Sequence, residues 1–592
     1  MSYDIFLLWE DIAMIGGWFC YSDSVLKYKD ILDKMKDTIG SKDMYMNMCV
    51  GLLDGKRFVV NHAEFVIAFD GNIYNWKQLQ VELSECGIVC NSMQEVVLMA
   101  YLQWGVDSFN KLDGVYAFAI YDGGKEELVL VRDSFGVCPL YYYMDNRGVI
   151  FGSLLKTLLA HPYVEPILTE EGLQQIFLLG PGKILGSGVF KGVEEILPGE
   201  YRIFSKDECI ANQYYRLEAL EHTESLEETI EHVQRLVEDS VVKQMDGCEG
   251  SMLSGGLDSS IVSMLARKCN LNLATYYIRY QDNDKYFKKS MFQPNQDEAY
   301  IQMMVDALES NHHIITFNEE DIYQSLYMAM KSRDLPGMAD IDGSFYLFTK
   351  EIAKDVGVVL SGECSDEIFG GYPWYYKSEF MWKDTFPWME SLDIRKQIIK
   401  EGLLKENGFV DKVYKSCLDK VSYLSSDSLF QRRHRELFFL NIYNFMQTLL
   451  DRCHRMSSAN HLEVRVPFCD KQLVSYCYNI PVEMKFLNGN EKGLLKEAFK
   501  DSLPRDIVER KKSPFPKIYH PRYEELVSNR MKEILQEDSL FTYVVNKEVI
   551  EQIMDSDEEI LWYGQLMRKP QVLAYLLQVD MWFKEYNVRI EL

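Results

Sequence analysis

The sequence has few of the features that mark secreted or membrane proteins. Its 13 cysteines are scattered without a Cys-x-x-Cys pair, and the closest two, Cys86 and Cys90, have no second pair at zinc-binding spacing. No apolar run approaches the roughly 18 residues of a membrane helix. The segment from Met1 to Cys20 lacks a basic start and is interrupted by acidic residues, which argues against a signal peptide. We therefore expect reduced thiols, no membrane partner and a cytoplasmic location.

Positive charge is also scarce. The chain carries 63 lysines and arginines against 90 aspartates and glutamates, which gives a net charge of -27. Because nucleic-acid binding needs a basic face that displaces counterions, we expect no nucleic-acid partner and interpret the acidity chiefly as a contribution to solubility. Only 16 prolines and 36 glycines occur in 592 residues. With no low-complexity tract or short repeat visible, this composition argues against a disordered or solenoid protein.

The most informative stretch is an apolar segment followed by a glycine turn and a second apolar segment. Ser251 to Leu253 has the character of a buried strand, and Ile261 to Ala266 has the apolar spacing of a helix packed on a sheet. The connecting residues are Leu253, Ser254, Gly255, Gly256, Leu257, Asp258, Ser259 and Ser260. Glycines allow a tight turn, and the free amides at a helix start form a concavity that binds phosphate or pyrophosphate.

This loop lacks the Gly-Lys-Ser/Thr ending of a Walker loop. It resembles instead the PP-loop of ATP pyrophosphatases, which cleave ATP between the α- and β-phosphates and adenylate an oxygen of their substrate. The resemblance implies that Leu253 to Ser260 bind ATP. Because a carboxylate beside pyrophosphate requires a cation between them, Asp258 is a candidate ligand for Mg²⁺.

A second loop repeats the pattern farther along the chain. The apolar residues Val358 to Leu360 precede the turn Ser361-Gly362-Glu363, and Asp366 follows at a predicted helix start. In a parallel sheet both loops would lie at the carboxyl ends of strands, where open α/β sheets bind ligands. Asp258 and Asp366 could then share Mg²⁺ on one pyrophosphate, although acidic residues at a helix start are usually partners of the helix dipole.

The amino-terminal part has many short β runs separated by turns. Aromatic and β-branched residues predict strands at 58–60, 65–69, 116–121, 128–131 and 149–151, and helical patterns occupy 76–85 and 95–104. Tyr214 to Thr223 is polar and charged, and Leu226 to Val242 is amphipathic. We predict an α/β protein with a layered unit at residues 1–215 and a second unit, with a parallel sheet flanked by helices, at 216–592.

The first unit resembles the glutaminase domain of class II amidotransferases, which has a layered α/β/β/α fold of the Ntn type. The resemblance rests on Asp70 to Asn75, Leu112 to Ile120 and Arg132 to Tyr141. That family uses an amino-terminal cysteine, whose thiol attacks the glutamine amide while its own α-amine acts as base. Here Met14-Ile15-Gly16 stands where the family has Met-Cys-Gly, and thirteen residues precede Met14.

Further departures from the glutaminase pattern point the same way. Asn72 replaces the glutamate of the Asn-Gly-Glu motif, and Met93 stands where Ser-Asp-Thr-Glu would supply the carboxylate that holds the glutamine amine. No His-Arg-Gly-Pro-Asp motif is visible between Asp30 and Met48, and Cys20 is internal. We therefore expect the first unit to keep a glutaminase fold without glutaminase activity.

The second unit resembles the synthetase domain of glutamine-hydrolysing asparagine synthetases, and the likeness extends over nearly the whole chain. Besides the two loops it includes 283–287, 292–295, 333–340, 462–470 and 510–516. The resemblance implies ATP and Mg²⁺ as cofactors and a reaction in two steps. A carboxylate attacks the α-phosphorus of ATP to give an acyl-adenylate and pyrophosphate, and an amine then attacks the acyl carbon.

Within this resemblance, individual residues match functional positions of the family. Lys512 matches the catalytic lysine, with Lys511 as its rival in the alignment, and a fixed cation there would stabilise charge on the phosphoryl oxygens. Glu363 matches the glutamate credited with assisting the amine, which must be neutral to attack. Adenine is expected against the strand that ends at Ile278, with backbone contacts from Ser361 and Gly362.

Two histidines depart from the family pattern. His454 replaces an acidic residue, and His461 replaces a glycine before Leu-Glu-Val-Arg. Because a lone histidine is more often structural than catalytic, we expect structural roles. If either lined the acceptor side, the family's use of aspartate and ammonia would be in doubt.

Three functions stay open at this point. The chain could join a small-molecule or peptide carboxylate to a substrate amine, as do β-lactam synthetases and lasso-peptide macrolactam cyclases. It could make asparagine from aspartate and free ammonia, or it could be a non-catalytic subunit or regulator. We favour the first, because the losses all lie on the glutamine side while the adenylation motifs are kept. A homodimer is compatible with each.

Overall fold

The computed structural model describes residues 14–21, 24–287, 296–405, 408–556 and 560–592. The thirteen residues before Met14 and the family-like segment from Phe292 to Asn295 lie outside these ranges.

The first unit contains two six-stranded antiparallel sheets. In spatial order, the strands of one sheet are Val193–Glu195, Tyr141–Asp145, Gly148–Gly152, Gly16–Cys20, Val50–Leu53 and Met44–Met46. Those of the other are Cys209–Gln213, Glu200–Phe204, Glu127–Arg132, Gly114–Asp122, Ala63–Ile73 and Lys56–Val60. The helices of this unit are Lys29–Ile39, Trp76–Glu85, Met93–Trp104, Ser108–Lys111, Leu155–Leu159 and Glu170–Gln174.

The alternation of side chains along the strands explains the layered arrangement. Along Ala63–Ile73, Val66 and Ala68 pack between the sheets with Ile15, whereas Phe65, Ile67 and Phe69 pack on the opposite face with residues of helices Trp76–Glu85 and Met93–Trp104. The other sheet packs its outer face on helix Lys29–Ile39. The predicted layered α/β/β/α fold is confirmed, and every strand and helix predicted for this unit lies within an observed one.

The second unit is built on a five-stranded parallel sheet. In spatial order its strands are Asn311–Phe317, Ala274–Tyr280, Gly250–Met252, Val358–Leu360 and Glu463–Arg465. The sheet lies among the helices Leu226–Lys243, Leu257–Cys269, Asn283–Tyr286, Glu298–Leu308, Glu319–Arg333, Asp340–Ile352, Ser365–Phe369, Ser378–Met381, Leu392–Ile398, Phe409–Leu418, Leu429–Leu440, Met446–Ser458, Lys471–Asn479, Val482–Lys485, Gly493–Ala498, Arg505–Glu509, Pro521–Ile534, Leu540–Val544, Lys547–Asp555 and Lys569–Glu585. The predicted parallel sheet flanked by helices is confirmed.

The order of these strands determines where a ligand can bind. The chain leaves the central strand Gly250–Met252 and adds two strands on one side, then returns to place Val358–Leu360 on the other side. Connections that leave adjacent strands in opposite directions open a crevice at their carboxyl ends. The loops that follow these two strands are the two that the sequence motifs identify, so the topology places them side by side.

The two loops are in direct contact at Gly362. A Cβ atom built on Gly362 would lie 2.8 Å from the Ser259 nitrogen and 3.0 Å from the Asp258 carbonyl carbon. Real Cβ atoms do not approach backbone this closely, so a residue without a side chain is required at this position.

Several contacts join the two units. Lys243 forms ion pairs with Asp113, at 2.7 Å, and with Asp470. Strand Arg589–Ile590, near the carboxyl end, pairs in parallel with Ile167–Leu168 of the first unit. Across the described ranges, none of the helices has both the length and the apolar character needed to cross a bilayer.

The close approach of the loops can be tested with Gly362→Ala. The added methyl group would press on the Ser259 backbone, so we expect the free energy of unfolding to fall by roughly 1–3 kcal/mol and nucleotide binding to weaken. Gly256→Ala is the matched control for stability, because a Cβ atom there would meet only the Ser254 hydroxyl, at 3.3 Å. Denaturant unfolding and titration with a fluorescent ATP analogue measure the two effects. Equal stability of the two variants would contradict the contact.

Candidate active site

The glycine loop is held by its own hydroxyl groups. The Ser254 nitrogen donates to the Ser259 hydroxyl at 3.2 Å, and the two serine hydroxyls lie 2.9 Å apart. Gly255 has a φ of +66°, which glycine adopts without the strain that a side chain brings. Helix Leu257–Cys269 then begins directly after Gly256. Its first turn carries backbone N–H groups without intrahelical partners, which are suited to phosphate oxygens.

Most of the sequence-predicted site residues line one cavity of about 180 Å³. They are Leu253, Ser254, Asp258, Ser259, Ile278, Ser361, Gly362, Glu363, Asp366 and Lys512. The remaining four do not line it. Gly255 and Gly256 form the turn, and the side chains of Leu257 and Ser260 are buried, so these four residues can offer a ligand only their backbone groups.

A buried lysine that the sequence motifs did not identify joins the two aspartates, although it does not itself line the cavity. The Lys492 ammonium lies 2.5 Å from Asp258 Oδ2 and 2.5 Å from Asp366 Oδ1. On the far side of Asp366, Lys512 Nζ lies 2.8 Å from Oδ2, and the Ser365 hydroxyl donates to Asp258 Oδ1 at 2.7 Å. The two carboxylates therefore converge on a point that one cation can fill.

The charges of this cluster stabilise one another. Burial by itself would raise the pKa of Asp366, but the ammonium groups of Lys492 and Lys512 outweigh it and lower that pKa to about 2. Burial likewise disfavours a charged Lys492, yet Asp258 and Asp366 raise its pKa above the ordinary value. Both Asp366 and Lys492 are thus ionised at neutral pH.

The next carboxyl group behaves differently. Glu367 is buried, and burial together with the negative charge of Asp366 raises its pKa to about 8. The Tyr372 hydroxyl donates to Glu367 Oε1 at 2.5 Å, and Lys512 Nζ lies 4.7 Å above the Tyr372 ring. Glu367 therefore holds the Tyr372 ring in the position from which it contacts Lys512.

Glu363, in the turn before helix Ser365–Phe369, is held by an arginine from helix Met446–Ser458. Arg452 Nη2 donates to Glu363 Oε1 at 2.5 Å, and its guanidinium lies 5.5 Å and 5.3 Å from the ring centroids of Phe345 and Phe515. The aromatic rings and the ion pair together fix the guanidinium in place. Glu363 consequently faces the cavity in a defined position.

The structure distinguishes the two neighbouring lysines of the carboxy-terminal motif. Lys511 is exposed and does not line the cavity, whereas Lys512 does. The segment is tied to the glycine loop by Arg510, which donates to the Gly255 carbonyl at 2.7 Å and forms an ion pair with the buried Asp297. This anchoring directs Lys512 towards Asp366.

Sequence reasoning missed Lys492, Arg452 and Arg510. Lys492 carries one readable signal, because it is the N-cap of helix Gly493–Ala498, where a cation opposes the helix dipole. Residues that violate such a local preference are expected at functional sites. Arg452 and Arg510 carry no local signal, since their carboxylate partners are 89 and 213 residues away in sequence.

The two histidines do not line the cavity. His461 is exposed and has a φ of +56°, a conformation that glycine adopts most easily, which accounts for the family's preference at this position. His454 lies at the contact between the units, with its Nε2 atom 3.8 Å from Asp70 Oδ1.

The position expected for the glutaminase nucleophile is apolar. The Ile15 side chain is fully buried between the two sheets, and its backbone nitrogen, which is an amide in this chain, donates to the Ser153 hydroxyl at 3.1 Å. The Asn72 amide donates to Glu463 Oε1 of the second unit at 2.6 Å. The Met93 sulfur accepts from the Ile73 nitrogen at 3.2 Å. Ile15 and Met93 thus make contacts within the first unit, and Asn72 connects the first unit to the second.

Comparison with known proteins gives a consistent assignment for both units. A family profile described as asparagine synthase matches residues 232–584, and one described as glutamine amidotransferase domain matches residues 50–215. Asparagine synthetase (glutamine-hydrolysing) 3 of Bacillus subtilis strain 168 is 37% identical over 98% of this chain and 99% of its own length. Asparagine synthetase 1 of the same strain is 27% identical over 83% of this chain and 81% of its own. The Cricetulus griseus enzyme is 28% identical over 85% and 83%.

Lys492→Met tests whether the shared ammonium holds the site together. Removing one partner from a buried ion pair costs roughly 3–5 kcal/mol, so we expect a loss of unfolding free energy of that size, partly reversed by Mg²⁺. Lys496→Met is the matched control from the same helix, because Lys496 Nζ lies 3.3 Å from the Arg510 carbonyl and pairs with neither aspartate. Denaturant unfolding with and without Mg²⁺ measures the effect. A Lys492→Met variant as stable as the control would refute this role.

Proposed function

The chain belongs to the asparagine synthetase family of ATP-dependent carbon–nitrogen ligases, which form AMP and pyrophosphate, and we propose that it builds an amide without hydrolysing glutamine. One contrast between the units carries the proposal. In the second unit, Asp258, Asp366, Lys492 and Lys512 form a connected cluster beside the glycine loop. In the first unit, the position expected for the nucleophilic thiol holds the buried Ile15.

The first step in this proposal is adenylation of a carboxylate. ATP binds in the cavity with its phosphates at the Ser254–Ser259 loop, and the carboxylate of the substrate attacks the α-phosphorus. Pyrophosphate leaves, and negative charge develops on the phosphoryl oxygens. Lys512 supplies a fixed cation in a site that excludes much of the solvent, where its effect on the transition state is largest.

Asp258 and Asp366 fit a divalent ion that binds oxygen ligands. Their carboxylates already meet at a single cation, the Lys492 ammonium, and Mg²⁺ is bound by one or two carboxylates together with phosphate oxygens. When bound, Mg²⁺ would neutralise charge on the pyrophosphate. We assign to Lys492 the role of holding the two carboxylates together before ATP binds and of contacting phosphate afterwards.

The second step is attack of an amine on the acyl carbon, with departure of AMP. The amine loses a proton as the bond forms, and Glu363 is the group we assign to accept it. Because Arg452 holds Glu363 by Oε1, Oε2 is the oxygen we assign to this proton transfer. Arg452 is in this sense a positioning residue.

Two candidates for the amine follow from different observations. The packing of Ile15 and Met93 in hydrophobic clusters favours an amine that enters directly, as in the condensation of small-molecule or peptide substrates in natural-product biosynthesis. The identity of 37% over nearly the full chain with a glutamine-hydrolysing asparagine synthetase of Bacillus subtilis favours aspartate as the carboxylate. Together with the buried Ile15 at the position of the nucleophilic thiol, it makes free ammonia the second candidate for the amine. We place the direct amine first, and ammonia-dependent asparagine synthesis second.

The choice of amine is tested by pyrophosphate release from purified protein with ATP and Mg²⁺. Aspartate is supplied alone, with glutamine or with an ammonium salt, and products are identified by mass spectrometry. We expect no glutamate to form from glutamine in any reaction. Asparagine formed with ammonium but not with glutamine would select the second candidate. Asparagine and glutamate formed together from glutamine would refute the proposal.

The roles of Lys512 and Glu363 can be separated by the step that each variant loses. Lys512→Ala should slow carboxylate-dependent exchange of pyrophosphate into ATP by a factor on the order of 10² to 10³. Glu363→Gln should keep that exchange and slow amide formation by a factor on the order of 10² or more.

Lys511→Ala is the matched control for Lys512→Ala, because Lys511 is exposed beside it and does not line the cavity. Equal losses in the two lysine variants would remove the assignment to Lys512. Loss of the exchange reaction in Glu363→Gln would show that Glu363 acts in adenylation.

A further inference from the structure

Three side chains that can bind a metal ion meet at the contact between the two units, away from the ATP cavity. Asp70 and Cys138 belong to the first unit, and His454 belongs to helix Met446–Ser458 of the second. One ligand atom from each lies within 4.8 Å of the other two. None of these residues lines the cavity that holds Lys512 and Glu363.

The Asp70 carboxylate has an unused oxygen in a buried position. Asp70 is 1% exposed, and its Oδ2 atom accepts from the Ser153 hydroxyl at 3.1 Å. Within the part of the chain that the structure describes, Oδ1 has no hydrogen-bond partner, and no lysine or arginine lies within ion-pair distance of the carboxylate. Burying a carboxylate oxygen in this way is costly unless it is paired or coordinates a metal.

The other two groups lie beside this oxygen in the same contact between the units. The Cys138 side chain is 1% exposed, and His454 Nε2 is the ring nitrogen 3.8 Å from Asp70 Oδ1. The backbone of Cys138 is fixed, because its nitrogen donates to Asp133 Oδ2 at 3.0 Å and its carbonyl accepts from Arg132 Nε at 2.8 Å. A rigid frame therefore presents the thiol towards Asp70 and His454.

We propose that Asp70, Cys138 and His454 bind one divalent transition-metal ion, with Zn²⁺ the best match. Imidazole, thiolate and carboxylate are the ligands of tetrahedral zinc sites, and three protein ligands leave a fourth position for water. Magnesium fits poorly, because it prefers oxygen ligands.

The distances agree with a zinc site that is nearly formed. Zinc–ligand bonds of about 2.0–2.3 Å place neighbouring ligand atoms of a tetrahedron about 3.3–3.8 Å apart. His454 Nε2 and Asp70 Oδ1 are 3.8 Å apart. Within the limit of 4.8 Å that contains all three ligand atoms, closing of the site requires each pair of ligand atoms to approach by up to about 1.5 Å, which small side-chain rotations supply.

A metal ion at this place would connect the two units physically. His454 is two residues from Arg452 on helix Met446–Ser458, and Arg452 holds Glu363. Binding to Asp70 and Cys138 would fix this helix against the first unit and so maintain the Arg452 position. The site itself is independent of the identity of the amine substrate.

The experiment is metal analysis of the full-length protein after dialysis against a weak chelator, with no nucleotide present. We expect about one Zn²⁺ per chain by elemental mass spectrometry. Replacement by Co²⁺ should give the near-ultraviolet charge-transfer band of a cobalt–thiolate bond. Cys138→Ser should abolish that band. Competition with a chromophoric chelator should show affinity losses of roughly tenfold or more for Asp70→Asn and His454→Asn.

Two variants serve as matched controls. Cys477→Ser removes another buried cysteine, and His461→Asn removes the other histidine close to the motif, and both should keep full Zn²⁺ and the cobalt band. Absence of stoichiometric zinc in the unmodified protein would overturn the proposal without reference to any variant. A cobalt band that survives in Cys138→Ser would overturn this ligand set. If His454→Asn lowers the free energy of unfolding by the same amount with and without a chelator, His454 forms only an ion pair with Asp70, and the metal site is refuted.

Discussion

The ammonium of Lys492, placed between Asp258 and Asp366, is the interaction on which the rest of the site depends. Two carboxylates from different helices cannot face each other in a buried crevice unless a cation lies between them. The parallel sheet brings their loops together, and Gly362 lets the loops touch. Lys492 makes this proximity stable by joining the two carboxylates at 2.5 Å each.

Opposite charges are also paired in the rest of the pocket. Lys492, Lys512 and Arg452 are matched by Asp258, Asp366 and Glu363, so the ligand-free site is close to electrically neutral although the chain carries a net charge of -27. ATP that binds together with Mg²⁺ would therefore change the net charge of the site less than ATP alone would. The net charge of the whole chain therefore says little about the chemistry in the crevice.

Local patterns predicted the parts of the structure that depend on neighbouring residues. The strand, glycine turn and helix around Ser254 were predicted to within a few residues, because apolar spacing and glycine chemistry act over short distances. The layered first unit followed from β-branched runs and from its family resemblance. Lys492 was not predicted, because its partner Asp258 is 234 residues away. The contact of His454 with Asp70 could not be predicted either, because the two residues are far apart in sequence and meet only at the contact between the two units.

Strand Arg589–Ile590 has a consequence for how the protein is made. It pairs with Ile167–Leu168, which leave the ribosome about 420 residues earlier. This pairing therefore cannot form until residues 589 and 590 have been synthesised. The docking of the two units is thus a late event that closes a very long loop, whose entropic cost grows only slowly with its length. A chain that ends before Arg589 would lack this pairing and would depend on other contacts between the units, such as those of Lys243 with Asp113 and of Asn72 with Glu463.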